Sequence, residues 1–206
     1  MTTEHNEHGC EMCEMNDYDG ALIGTEMPNF SLPAFADGKE KKISLSDYKG
    51  KWYVLFFYPA DFTFVCPTEL EELADMYAKF KEINCEILSV STDTAYAHKA
   101  WKDVSPAIKK VEFPMLADTN HHLSSYCNVL IAEEGLALRG TFIVDPDGIV
   151  KSIEVNDNSI GRSAKELFRK IKAAQFVREH GDQVCPAGWE EGDDTLTPGM
   201  DLVGKI

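Results

Sequence analysis

The sequence predicts an α/β domain, a central mixed sheet with helices on both faces, followed by a C-terminal arm. Two apolar runs and the amphipathic segment between them carry that prediction. "WYVLFFY", residues 52–58, is a continuous, aromatic-rich run of the kind that forms a strand buried on both faces. A helix follows from about residue 67, because Leu70, Leu73, Ala74, Tyr77 and Phe80 fall on one apolar stripe. "CEILSVS", residues 85–91, is a second buried strand. Strand, helix, strand in a short span is a βαβ unit, so the two strands should be parallel.

The remaining elements extend that unit. "TAYAHKAWKDV" reads as a helix over 94–104, ending before "SP", where proline restricts the residue preceding it. "FPML" is a short extended piece, and "TNHHLSSYCN" a helical turn or two. "GTFIVDPDGIVKSIEV", 140–155, is a hairpin turned by "DPDG". A last helix covers 162–179, with Ala164, Leu167, Phe168, Ile171 and Ala174 as its buried stripe. Parallel strands first and a hairpin later suit a thioredoxin-like α/β fold.

The domain is expected over 21–180. Residues 1–20 carry six acidic residues, two histidines, two cysteines and a single aromatic, Tyr18, too little apolar surface to offset ordering; we read them as a flexible tail. Residues 181–206 have glycines, two prolines and no helical period, and read as an extended C-terminal arm rather than a second domain.

Bulk properties exclude several functions. A net charge of −15 repels phosphate backbones and anionic lipid heads, which argues against nucleic-acid or membrane binding. No apolar run approaches the roughly 18–20 residues that span a bilayer. The N-terminus has neither the basic start nor the apolar stretch of a secretory signal, so the expected compartment is the cytoplasm, with a mature exported form left open. In that compartment the six cysteines point to redox or catalytic use rather than a disulfide framework.

Cys66 stands at the junction of the first buried strand and its helix. Pro67 fits the first helical position, which puts Cys66 at the N-cap with Glu69 three residues on. Unpaired N–H groups and the positive end of the helix dipole would then favour thiolate over thiol, and thiolate is the nucleophile. The site also lies past the C-terminal end of a parallel strand, where α/β sheets bind ligands. A buried, inert cysteine fits the same position. Two residues weigh towards reactivity. Thr63 offers a hydroxyl three residues before Cys66. Arg139, before the apolar hairpin strand, offers a planar five-donor group that can hold a thiolate and an oxyanion together, although a surface salt bridge also fits it.

At these residues the chain resembles the typical two-cysteine peroxiredoxins, of the bacterial alkyl hydroperoxide reductase C type. "FYPADFTFVCPTE" is similar to their peroxidatic motif, with Pro59, Thr63 and Cys66 in the P-x-x-x-T-x-x-C spacing. "HGDQVCPAGW" is similar to their resolving segment, and the terminal "DLVGKI" matches as well. The resemblance covers residues 22–206 and implies a mechanism. Cys66 would be the peroxidatic cysteine and Cys185 the resolving cysteine, acting across a dimer interface to give an intersubunit Cys66–Cys185 disulfide. Thr63 would hydrogen-bond sulfur and peroxide, Arg139 would stabilise the developing charge, and Pro59 would shield the pocket. Glu69 and Arg162 would orient Arg139 from behind. The resemblance further implies hydrogen peroxide and organic hydroperoxides as substrates. It implies a flavoprotein disulfide reductase or thioredoxin as reductant, dimers that assemble into ring decamers, and no cofactor or metal in the chain.

Two regions depart from the wider family. "KKVEFPMLAD" and "MDLVGKI" stand where oxidation-sensitive eukaryotic members carry a Gly-Gly-Leu-Gly insertion and a Tyr-Phe helix, so resistance to overoxidation is expected. In the tail, "HNEHGCEMC" places His5, His8, Cys10 and Cys13 close together, a pattern for Zn²⁺, Cu⁺ or a local redox pair, or simply a solvated extension. Cys85, Cys127, Trp101 and the His121–His122 pair read as packing or structural residues. Rival functions are an oligomeric holdase chaperone and a disulfide reductase. The latter would want C-x-x-C at the helix start, where "CPTE" stands.

Overall fold

The structure, a computed structural model, describes residues 20–206; the Cys10/Cys13 and His5/His8 cluster lies outside the described residues. The chain forms β1 (Ser31–Ala36), β2 (Lys39–Ser44), β3 (Trp52–Phe57), α1 (Cys66–Glu82), β4 (Cys85–Ser91), α2 (Ala95–Val104), β5 (Met115–Ala117), α3 (His122–Tyr126), β6 (Leu130–Ile131), β7 (Leu136–Ala137), β8 (Arg139–Val144), β9 (Val150–Asn156) and α4 (Ala164–Glu179). A seven-stranded sheet runs in the order β2-β1-β5-β4-β3-β8-β9. Its centre, β5-β4-β3, is parallel, and the flanking pairs are antiparallel. The βαβ unit and the "DPDG" hairpin stand where the sequence placed them.

β3 explains why the sheet has two covered faces. All six of its residues are buried, and they alternate between two cores. Trp52, Val54 and Phe56 point to the face packed by α1, α4 and Trp101 of α2. Tyr53, Leu55 and Phe57 point to the other face, where Leu123 and Cys127 meet Leu22, Met27, Leu32 and Leu45. The second face is therefore closed by one short helix and the N-terminal segment, rather than by long helices.

The β1–β2 hairpin is absent from the expected elements. Asp37 and Gly38 form its two-residue turn at φ 51° and 75°, the left-handed pair of a type I′ turn. β2 is an edge strand carrying Lys39, Lys41 and Lys42, which discourages further strand pairing there.

Two boundaries shift. Arg162 precedes the last helix rather than opening it, because Ser163 is the N-cap and accepts from the Glu166 N–H. Residues 181–206 are not an extended arm. Val184 and Leu196 pair as an antiparallel bridge, and the loop between them folds back on α4, where Trp189 is buried against Phe176 with ring centroids 5.0 Å apart.

Candidate active site

The helix that carries Cys66 starts one residue earlier than Pro67 alone suggests. Val65 already has helical torsions, and its carbonyl accepts from the Thr68 and Glu69 N–H groups at 3.0 and 3.3 Å. Val65 is thus the N-cap, Cys66 the first helical residue and Pro67 the second. The sulfur still sits in the first turn, where backbone N–H groups lack intrahelical partners. No side chain caps this helix, whereas α2 and α4 have Thr94 and Ser163 in that role.

Cys66 is completely buried, and its sulfur faces a guanidinium. Arg139, the first residue of β8, donates from Nη1 to Cys66 Sγ at 3.4 Å and to Glu69 Oε2 at 2.6 Å. Its other edge is fixed from behind, with Nε and Nη2 donating to the Asn158 carbonyl at 3.0 and 2.8 Å. Glu69 lies one turn beyond Cys66 on α1 and receives Arg162 as well, at 2.9 Å from Nε to Oε1 and 3.1 Å from Nη2 to Oε2. Arg162 in turn donates to the Gly140 and Phe57 carbonyls, both at 2.8 Å, and lies 3.4 Å over the Phe56 ring. Each of its edges is therefore committed. Burial lowers the proton affinity of Arg162 below the ordinary guanidinium value, with Glu69 opposing that shift.

Charge decides what this arrangement favours. Two buried guanidiniums share one carboxylate, which leaves one positive charge in a region from which water is excluded. An uncompensated buried charge costs about 3–5 kcal/mol. The Cys66 sulfur lies at an Arg139 edge and faces this charge. The first turn of α1 adds its dipole in the same sense. The Arg139 pair is thus a buried clamp and not the surface salt bridge that the sequence also allowed.

The structure brings together Cys66, Glu69, Arg139 and Arg162. Pro59 is buried at the end of β3. Thr63 donates its hydroxyl to the Ala60 carbonyl at 2.9 Å, and no hydrogen bond joins it to the Cys66 sulfur. Cys185 lies apart, half-buried against α4, with its sulfur 3.9 Å from the Ala173 carbonyl. Burial raises its thiol above the ordinary value, and Arg169 partly offsets this. Cys66, Cys85, Cys127 and Cys185 are all free thiols. Cys85 and Cys127 are buried and their thiols are pushed well up by desolvation, which makes them poor nucleophiles. Trp101 is buried beside Tyr58.

Two supporting residues escaped sequence reasoning. Asn158 contributes only its carbonyl, which no side-chain pattern reveals. Gly140 has no room for a side chain, since a Cβ there would lie 2.8 Å from Val129. A glycine inside the apolar run "RGTFIV" was the available signal of close backbone approach.

A buried thiol clamped by arginine at the start of the helix that leaves the sheet centre defines a thiol-based redox centre on a thioredoxin-like fold. Comparison with known proteins narrows the class. Residues 23–153 match the AhpC/TSA family, and residues 173–201 match the C-terminal domain of 1-Cys peroxiredoxin. The chain belongs to the AhpC/TSA family. It is 52% identical to alkyl hydroperoxide reductase C of Amphibacillus xylanus, over 90% of this chain and 100% of that protein. It is 47% identical to alkyl hydroperoxide reductase C of Pseudomonas aeruginosa, over the same shares. Among solved structures it resembles AhpC of Enterococcus faecalis, with TM-score 0.79, 50% identity and coverage of 81% of this chain and 100% of that one. It also resembles the reduced 2-Cys peroxiredoxin of Plasmodium vivax, with TM-score 0.85, 36% identity and coverage of 88% and 96%.

Proposed function

We propose that this chain is a thiol peroxidase that reduces hydroperoxides through Cys66 and is recycled by a disulfide reductase. The observation that carries the reading is the shared Arg139 Nη1, 2.6 Å from Glu69 and 3.4 Å from the Cys66 sulfur. That donor edge compensates a thiolate before reaction and an oxyanion during it. The thiolate attacks the terminal peroxide oxygen, the O–O bond breaks, and a proton taken up by the leaving oxygen releases water or an alcohol. Cys66 is left as a sulfenic acid. Arg139 faces the charge that develops along S–O–O, and it is held by the Asn158 carbonyl and Glu69, so little reorganisation is needed. Pro59 shields the pocket, and Thr63, its proton committed to Ala60, keeps lone pairs free to accept from the peroxide hydroxyl.

The Cys185 thiol then condenses with the sulfenic acid, forming an S–S bond and releasing water. In this reading the disulfide links two subunits of a homodimer, the dimers form a decameric ring, and a flavoprotein reductase or thioredoxin supplies two electrons by thiol–disulfide exchange. A fully buried Cys66 must leave its pocket first, so the opening turn of α1 unwinds. The missing side-chain cap removes about 1 kcal/mol of local support from that turn. With neither the Gly-Gly-Leu-Gly insertion nor the Tyr-Phe helix, disulfide formation is expected to outpace overoxidation. Modest peroxide should give little Cys66 sulfinate by mass spectrometry during turnover. The homologues do not favour the holdase alternative. Among the described residues no helix is long and apolar enough to cross a membrane, and the reading places the enzyme in the cytoplasm.

The test is a non-reducing gel after one equivalent of hydrogen peroxide. A disulfide-linked dimer is expected, absent in Cys66→Ser and in Cys185→Ser. A monomer with no loss of thiols refutes the function.

A further inference from the structure

We propose that a buried, hydrogen-bonded Asp61–His98 pair positions the peroxide pocket, with His98 of α2 acting as the outside anchor of the loop that carries Thr63; this inference rests on the thiol-peroxidase reading above. His98 is fully buried, and both ring nitrogens face oxygens. Nε2 is 3.2 Å from the Leu116 carbonyl and Nδ1 is 2.8 Å from Asp61 Oδ2. A carbonyl can only accept, so Nε2 bears a proton. Tyr58 at the end of β3 donates its hydroxyl to the other Asp61 oxygen at 2.7 Å. Nδ1 is thereby joined directly to Asp61, with the Tyr58 hydroxyl 3.4 Å away on the same side.

The pair reaches the active site through the backbone. Asp61 lies in the loop between β3 and Cys66, and its N–H donates to Asp93 Oδ2 at 2.8 Å. Asp93 is itself held by the Ser91 hydroxyl at 3.1 Å. Phe62 follows at φ 58°, a left-handed conformation that a bulky aromatic does not adopt unless its surroundings impose it. Its ring packs on Trp101, one turn beyond His98 on α2, with centroids 6.0 Å apart. Thr63 comes next, closed onto Ala60. His98 thus holds the residue before the strained position and Trp101 holds the strained residue itself. A buried hydrogen bond adds only modest net stability. Its main effect is to fix a register, here that of Thr63 relative to the Cys66 sulfur. His98 and Asp61 touch no reacting atom and are positioning residues.

The test compares two reactions of Cys66 in the full-length protein. Hydrogen peroxide needs both the thiolate and a shaped pocket, whereas iodoacetamide needs the thiolate alone. In His98→Asn and in Asp61→Asn, the peroxide rate constant should fall about tenfold to a hundredfold, the scale of a misplaced reacting group. The iodoacetamide rate should change by less than about threefold, because the Arg139 clamp is intact. The double variant should recover at least about threefold over either single, since neither partner is left as an unsatisfied buried polar group. Parallel loss in both reactions, or no loss in either, overturns the proposal. A wild-type protein whose peroxide rate does not exceed that of an ordinary thiol would instead overturn the peroxidase reading. A measurement on the unaltered protein covers variants that fail to fold. With ¹⁵N-labelled histidine, the His98 ring should show a slowly exchanging Nε2 proton and a hydrogen bond at Nδ1, and a ring whose proton exchanges freely with water contradicts the anchor.

Discussion

The two cysteines assigned to the reaction occupy opposite mechanical settings. Cys66 is completely buried, and its neighbours Glu69, Arg139 and Arg162 are each 9% exposed or less. Those three residues bond to one another and to the Gly140, Phe57 and Asn158 carbonyls. Cys185 is half-buried in a segment that a single bridge folds on itself and that one buried tryptophan and a few surface contacts, such as Arg169 to the Trp189 carbonyl at 2.9 Å, hold to α4. The first setting is built to act on a small molecule without rearranging. The second is built to be released at little cost. A thiol that must attack peroxide gains from preorganisation, while one that must meet a large partner thiol gains from loose attachment.

The largest expected effects separate the two thiols outright. Cys66→Ser should abolish peroxide consumption. Cys185→Ser should leave the first, sulfenic acid-forming step within about twofold while stopping turnover with a disulfide reductant; rapid-mixing and steady-state assays together distinguish these outcomes. Arg139→Leu should lower the peroxide rate constant by about 10²–10³, the loss typical of a donor aimed at developing charge. Arg139→Lys should restore little, because an ammonium cannot span Cys66, Glu69 and Asn158 together. Glu69→Gln leaves two buried guanidiniums without their carboxylate and should cost about 3–5 kcal/mol in denaturant unfolding, whereas no substitution in 190–206 should cost more than about 1 kcal/mol. The smallest effect concerns pH. Arg169 offsets the burial that raises the Cys185 thiol, so Arg169→Ala should raise it further. Less attacking thiolate is then present near neutrality, and disulfide formation should slow a few-fold there, its pH profile moving to higher pH. An unchanged profile would remove Arg169 from the resolving step.

The same contrast governs what could be read in advance. The β3–α1–β4 unit was legible because an uninterrupted apolar run, an apolar stripe and a second apolar run each have one inexpensive solution. The β1–β2 hairpin was not, since "KEKKIS" is an exposed edge without apolar alternation and only Asp37-Gly38 marks the turn. Cys66 and Glu69 lie one turn apart, so a helix alone unites them. Arg139 and Arg162 reach Glu69 from 70 and 93 residues away, and no periodicity in one chain predicts such a meeting; the motif resemblance supplied it. Reading Pro67 as the first helical residue displaced the cap by one position, because Val65 is already helical. His98 was legible in principle. It shares the buried face of α2 with Ala95 and Trp101, where a polar ring must find a partner, but the partner, Asp61, lies 37 residues upstream.

In the proposed cycle the buried thiol passes its oxidised sulfur to the loosely held one on a second subunit, and mixed subunits put that transfer to the test. ¹⁵N-labelled Cys66→Ser protein is combined with unlabelled Cys185→Ser protein, treated with one equivalent of peroxide, and digested without reduction. The expected product is a single disulfide joining the unlabelled Cys66 peptide to the labelled Cys185 peptide by mass spectrometry. The absence of that peptide, with wild-type protein giving only a disulfide within one chain or none at Cys66, would contradict transfer between subunits.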